Sequence, residues 1–205
     1  MRVLLLEGEP GASCGAALEL AEAGHTIARC HPQDEASFPC HGLTDDACPL
    51  DAGDVDAVVV VRAAEAEVGP DRDSGEDGAR CALRRHIPLV LAGDASRSPL
   101  GSFATAVSTG PDELVEAVET AANAPLRLHA DIARVAFAAV LEAHGLDPRL
   151  AEVVVTRAHG DLKVRLTPPG PVPAAVLEIA SVRVAGAIRS VDRYPRVIDV
   201  VTAAG

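Results

Sequence analysis

Two nearly uninterrupted apolar runs limit this chain more than any other feature. Val3-Leu4-Leu5-Leu6 is wholly apolar, and Val55 to Val61 is broken only by Asp56. A strand with one wet face alternates apolar and polar residues, so a run without alternation belongs to a strand covered on both sides. Ile87-Pro88-Leu89-Val90-Leu91-Ala92 has the same character. Helical patterns lie between these runs. Residues 13–23 form one, with Ser13 as N-cap and Gly24 as its stop, and residues 76–85 form another. Thr26 to Arg29 reads as a short strand and Phe103 to Val107 as a fifth. Pro111-Asp112-Glu113-Leu114 opens a helix with Leu114, Val115 and Val118 on one face. The expected fold class is α/β, a parallel sheet with helices on both faces.

Two segments break the pattern. Residues 32–54 hold Pro32, Pro39, Gly42, Pro49 and Gly53, so an irregular loop is expected there rather than a long helix. Residues 65–78 are acidic and contain glycine, and read as a second loop.

Charge divides the chain. Residues 1–124 carry 22 acidic and 8 basic side chains, and residues 125–205 carry 8 acidic and 10 basic. This places a domain boundary near Pro125. It argues against nucleic-acid binding by the first half, which would repel phosphates, and it also suits a solvated acidic surface. No apolar run approaches the roughly 20 residues needed to span a bilayer. Glu7 and Glu9 interrupt the N-terminal run too early for a secretory leader. The expectation is a cytoplasmic protein whose five cysteines are thiols or metal ligands rather than structural disulfides.

Residues 125–205 read as a small α-β-β-α-β domain. Asp131 is placed as the cap of a helix burying Ile132, Val135, Ala139 and Val140 and stopping at Gly145. Glu152–Arg157 and Leu162–Leu166 form a hairpin around His159-Gly160-Asp161, with Gly-Asp as the turn pair. Residues 174–190 form a long helix and Val197 to Thr202 a last strand.

The acidic first turn Glu7-Gly8-Glu9-Pro10, Gly24-His25 ahead of a strand, Ile87-Pro88-Leu89-Val90 and Pro111-Asp112-Glu113-Leu114 recur in the order seen in response-regulator receiver domains. Residues 1–124 resemble that family, which implies a receiver or flavodoxin-like fold. The departures bear on function. By the resemblance, Arg62 stands where a phosphoaccepting aspartate would follow the third strand, and Gly8 splits the acidic pair Glu7 and Glu9. The family's lysine after the fifth strand is missing, since Lys163 is the only lysine in the chain. Phosphotransfer needs metal, acceptor and charge stabiliser together, so the resemblance implies a scaffold without phosphorylation chemistry. A receiver of this kind can act through the surface of its fourth and fifth strands, which here includes Leu100, Phe103 and Val107.

Cys30-His31, Cys40-His41 and Cys48 fall within 19 residues. They supply enough soft ligands for a tetrahedral zinc or part of an iron–sulfur cluster, with Cys81 or Cys14 completing a four-thiolate set. No Cys-x-x-Cys pair is present, so a thiol redox switch and plain buried cysteines stand beside the metal reading. Glu7, Glu9, Asp56 and Asp94 are candidates for a divalent-cation site at the sheet edge, although Asp56 begins its strand and belongs to the opposite end. Arg183, Arg189, Arg193, Tyr194 and Arg196 form a late basic group suited to an anion or a protein partner, with too few aromatics for stacking on bases. Neither a G-x-S-x-G elbow nor an H-E-x-x-H motif occurs.

Three functions follow as expectations. The first is a non-catalytic regulatory protein that binds a protein partner or forms a homodimer. The second is a metal or redox sensor built on Cys30, Cys40 and Cys48. The third is a divalent-metal enzyme at the acidic sheet edge.

Overall fold

The computed structural model describes residues 1–9, 11–31, 40–44, 47–62 and 77–203. The chain divides into two compact units, Met1–Asn123 and Ala124–Gly205.

The first unit is a five-stranded parallel sheet. Its strands are β1 (Arg2–Glu7), β2 (Thr26–Ala28), β3 (Ala57–Val61), β4 (Leu89–Ala92) and β5 (Ala106–Ser108), in the order β2-β1-β3-β4-β5. β1, β3 and β4 occupy the centre, and Leu4, Val58 to Val60 and Leu89 to Leu91 are shut off from solvent. This explains their apolar runs, since both faces of a central strand must be covered. Helices α1 (Cys14–Glu22) and α4 (Leu114–Asn123) cover the face of Val3, Leu5, Val59, Val61 and Val90. The short helix α2 (His41–Thr44) falls inside the segment expected to be irregular. Helix α3 (Asp77–Arg84) covers the other face, where Gly78 packs against Leu6. The expected loop at 65–78 lies outside the described residues except for its last two.

Several boundaries move from the sequence reading. Ser13 holds the N-cap position of α1 but makes no capping bond; its hydroxyl accepts from Arg29 instead. The fifth strand starts at Ala106 rather than Phe103, because Gly101–Phe103 turns as a 3₁₀ helix.

The second unit is built from α5 (Arg127–Ala143), β6 (Glu152–Ala158), β7 (Asp161–Thr167), α6 (Ala174–Val191) and β8 (Ile198–Thr202). β6 and β7 are antiparallel, β8 joins β7 in parallel, and the order is β6-β7-β8. One sheet face, with Val153, Val155, Leu162, Val164 and Leu166, packs on both helices around Phe137.

Three expectations fail here. α5 begins at Arg127, so Asp131 is a helix-interior residue paired with Arg134 rather than a cap. The core face of α5 carries Ala130, Ala133, Phe137, Val140 and Leu141, which leaves Val135 72 % exposed and Ala139 outside. The hairpin turn is His159-Gly160, not Gly-Asp. Both residues have positive φ, 53° and 78°, as a two-residue primed turn requires. Asp161 already belongs to β7.

Candidate functional site

The strand register brings Gly8 and Arg62 together. Glu7 pairs with Val61, and the Gly8 N–H donates to the Val61 carbonyl at 2.8 Å. Gly8 and Arg62 are therefore neighbours at the C-terminal edge of the sheet. A Cβ on Gly8 would lie 3.5 Å from the Arg62 Cγ, so the arginine stem fills the space beside the glycine.

Glu7 is 3 % exposed and fully engaged. Its Oε1 accepts from Arg29 Nη1 at 3.0 Å and its Oε2 accepts the Gly11 N–H. Arg29 also donates to Ser13 Oγ at 2.9 Å. This knot binds the β1 turn to the end of β2 and the start of α1, and it directs the Glu7 carboxylate into the protein.

Two of the other candidate carboxylates hold partners of their own. Asp56 lies at the opposite end of the sheet, where it accepts the Arg2 N–H at 2.9 Å. Asp94 accepts from the Ser96 N–H at 3.0 Å and so caps the turn after β4. The end of β5 closes on itself: Ser108 Oγ donates to the Gly110 carbonyl at 2.8 Å, and Thr109 Oγ1 donates to Glu113 at 3.0 Å. A cleft of about 480 Å³ opens beside this turn, lined by Ala92, Gly93 and Ser108 and by the carboxylates Glu19, Glu22 and Asp112. Burial first, and then the charge of Asp112, push the Glu19 carboxyl above its ordinary value.

The cysteines converge more than their spacing suggests. Cys30 is buried at the end of β2, Cys40 and Cys48 flank α2 and are half-buried, and Cys81 is exposed on α3. Burial, followed by the neighbouring thiols of Cys48, Cys40 and Cys81, pushes the Cys30 thiol up to about 12. Cys81 on α3, rather than Cys14 on α1, is the fourth thiol of the group that acts on Cys30. None of the five is in a disulfide. His31 is buried beside Cys30, and His41 opens α2 with its N–H on the Cys30 carbonyl at 2.8 Å. Among the described residues, no three His, Cys, Asp or Glu side chains are arranged to hold a metal ion.

The late basic group is split. Arg183, Arg193 and Arg196 are exposed, whereas Arg189 donates to the carbonyls of Pro195 and Arg196 and pins the loop ahead of β8. Tyr194 is half-buried with its ring 5.6 Å from the Arg157 guanidinium. Of the apolar surface expected near the fifth strand, Phe103 is 61 % exposed and Val107 half-exposed, but Leu100 is buried.

Sequence reasoning missed one polar cluster. Inside the second unit, His129 Nε2 lies 2.8 Å from Asp192 Oδ2, and Arg157 Nη2 lies 3.7 Å from the same oxygen. The sign was present in β6, where Val153, Val155 and Arg157 share the inward period-two positions.

The chain matches no family model and no curated protein. Among the described residues no helix is long and apolar enough to cross a membrane.

Proposed function

We propose that this chain is a cytoplasmic, non-catalytic regulatory protein that acts by protein contact through a receiver-like first unit unable to take up phosphate. The observation that carries this reading is the Gly8–Arg62 contact beside an already occupied Glu7. An acyl phosphate needs a carboxylate acceptor, and by the resemblance Arg62 stands at that position. A phosphoryl-transfer metal needs carboxylates that converge, and Glu7 is committed to Arg29. The strand order 2-1-3-4-5 is shared by flavodoxin-like folds, which bind at this edge of the sheet. Phe103 and Val107 supply exposed apolar surface for a protein partner or a second copy of the chain. Arg183, Arg193 and Arg196 supply an exposed basic surface on the second unit.

The test is intact-mass measurement after incubation with acetyl phosphate and Mg²⁺. The expected result is no gain of the roughly 80 Da that a phosphoryl group adds. A gain that disappears in alkali, as an acyl phosphate does, would overturn the proposal.

A second reading rests on the shared corner of Cys30, Cys40, Cys48 and Cys81. In it the first unit is the scaffold of a thiol or metal sensor, and the regulatory output is the same surface.

A further inference from the structure

The second unit leaves one edge of its sheet open. The order β6-β7-β8 makes β6 and β8 the edge strands. At the β6 edge the Val155 carbonyl accepts the Leu126 N–H at 2.8 Å. The β8 edge differs. The Val197 carbonyl accepts the Leu162 N–H, and the Ala203 N–H donates to the Leu166 carbonyl, so the odd-numbered residues of this strand bond to β7. Backbone groups alternate sides along a strand, so the N–H and C=O of Ile198, Val200 and Thr202 point away from β7. Among the described residues no hydrogen bond reaches these groups. Ile198-Asp199-Val200-Val201-Thr202 also lacks the proline, lysine or bulge that guards an open edge. Ile198 and Val200 pack half-buried at the margin of the core, whereas Val201 is 53 % exposed on the opposite face of the sheet.

We propose that this edge is a dimer interface, in which β8 pairs antiparallel with β8 of a second copy about a two-fold axis at Val200. The inference goes beyond the functional reading above and does not depend on it.

Register, side chains and charge all select a second copy. A two-fold axis at Val200 sets Val200 against its own counterpart and Ile198 against Thr202 of the second copy. Each of these pairs exchanges two N–H···O=C bonds, so every outward group finds a partner and the two β8 edges close each other. Asp199 then stands opposite Val201 of the second copy, in the pairs where side chains approach most closely, and the two aspartates do not face each other. On the core side, Ile198 and Val200 meet their counterparts and carry the apolar layer across the axis. Residues 125–205 hold 8 acidic and 10 basic side chains. Two such units therefore approach without the repulsion that the acidic first unit brings to its own surfaces.

The experiment is sedimentation velocity of the full chain under reducing conditions, with Phe103→Asp in place in every sample. That substitution separates this interface from association through the apolar surface of the first unit. The expected result is a monomer–dimer equilibrium at micromolar concentrations. Val201→Asp sets carboxylates opposite each other at both ends of the pairing and should weaken the dimer about tenfold. Val201→Lys sets a lysine opposite Asp199 of the second copy and should leave the dimer at least as tight. Val201 is exposed, so both variants should keep the parent melting temperature. Val200→Pro removes an outward N–H without breaking a bond to β7, and should abolish the dimer. In amide exchange, Ile198, Val200 and Thr202 should slow on dimerisation, while Asp199 and Val201 should not change. The Val201 variants decide the matter even if the proline variant unfolds. A chain that stays monomeric, alone or while a different protein occupies β8, would overturn the proposal. So would a dimer that Val201→Asp and Val201→Lys weaken alike, or one that a folded Val200→Pro variant leaves intact.

Discussion

His129 Nε2 lies 2.8 Å from Asp192 Oδ2 inside the second unit, and neither residue exposes more than 3 % of its surface. Arg157, equally buried, faces the same carboxylate, and the Tyr194 N–H donates to its second oxygen at 2.9 Å. The cluster joins the first turn of α5, the C-terminus of α6 and the inner face of β6. Removing one member of such a pair leaves uncompensated charge in the interior, which costs about 3–5 kcal/mol. Asp192→Ala should lower the urea stability of the second unit by that amount. Burial alone would raise the Asp192 carboxyl, but the His129 hydrogen bond, the Tyr194 N–H and the charges of His129 and Arg157 hold it below the usual value. A depressed carboxyl stabilises the fold above the unfolded value of about 3.9 and loses that contribution as pH falls through the folded value. The acid limb of the unfolding profile should therefore flatten in the variant.

His25 gives a second pH dependence, of a different origin. Its side chain is buried between α1 and β2, and neither ring nitrogen has a hydrogen-bond partner. Burial, and then the N-terminal ammonium, lower its pKa, and Glu119 and Asp56 offset this only in part. The folded state thus favours the neutral ring. Stability from this site is complete above the unfolded value of about 6.5 and declines as pH falls below it. Thermal unfolding of the first unit should fall between pH 7 and pH 5, and His25→Leu should reduce that fall. An unchanged slope would remove His25 from the account.

Gly93 and Gly24 both have positive φ, 90° and 82°, but only Gly93 is crowded. A Cβ at Gly93 would stand 2.3 Å from the Arg62 carbonyl oxygen, whereas Gly24 has open space around it. Gly24→Ala should cost only the backbone strain of about 1 kcal/mol. Gly93→Ala should cost clearly more, because the ends of β3 and β4 must move apart. Chemical denaturation of the two variants compares them directly.

The orientation of α5 can be checked with two truncations. Phe137 is wholly buried and Val135 is largely exposed. Phe137→Ala should destabilise the second unit by about 3–5 kcal/mol, and Val135→Ala should stay within about 0.5 kcal/mol of the wild type. The reverse ranking would restore the orientation expected from sequence.

The legible parts of this fold are those where local pattern and burial coincide. The runs at Val3 to Leu6 and Ala57 to Val61 read as central strands because no face of them meets water. α5 was misread because Asp131 imitates a cap and alanines on both sides of the helix blur its periodicity. The Arg29–Glu7 pair spans 22 residues and the His129–Asp192 pair 63, separations that no local window reveals. The cysteine loop is legible from composition, but the choice between Cys81 and Cys14 depends on how α3 packs over β1, which no local pattern encodes.

The account rests on regulation by contact rather than by phosphate. The most direct measurement is binding of a co-purifying partner, or of a second copy of the chain, to the wild type and to Phe103→Asp and Val107→Asp variants. Both residues are exposed, so the variants should keep the wild-type melting temperature. The account predicts that complex formation weakens at least tenfold in both and is unaffected by acetyl phosphate. Unchanged binding in both variants, or binding that appears only with the phosphodonor, would contradict it.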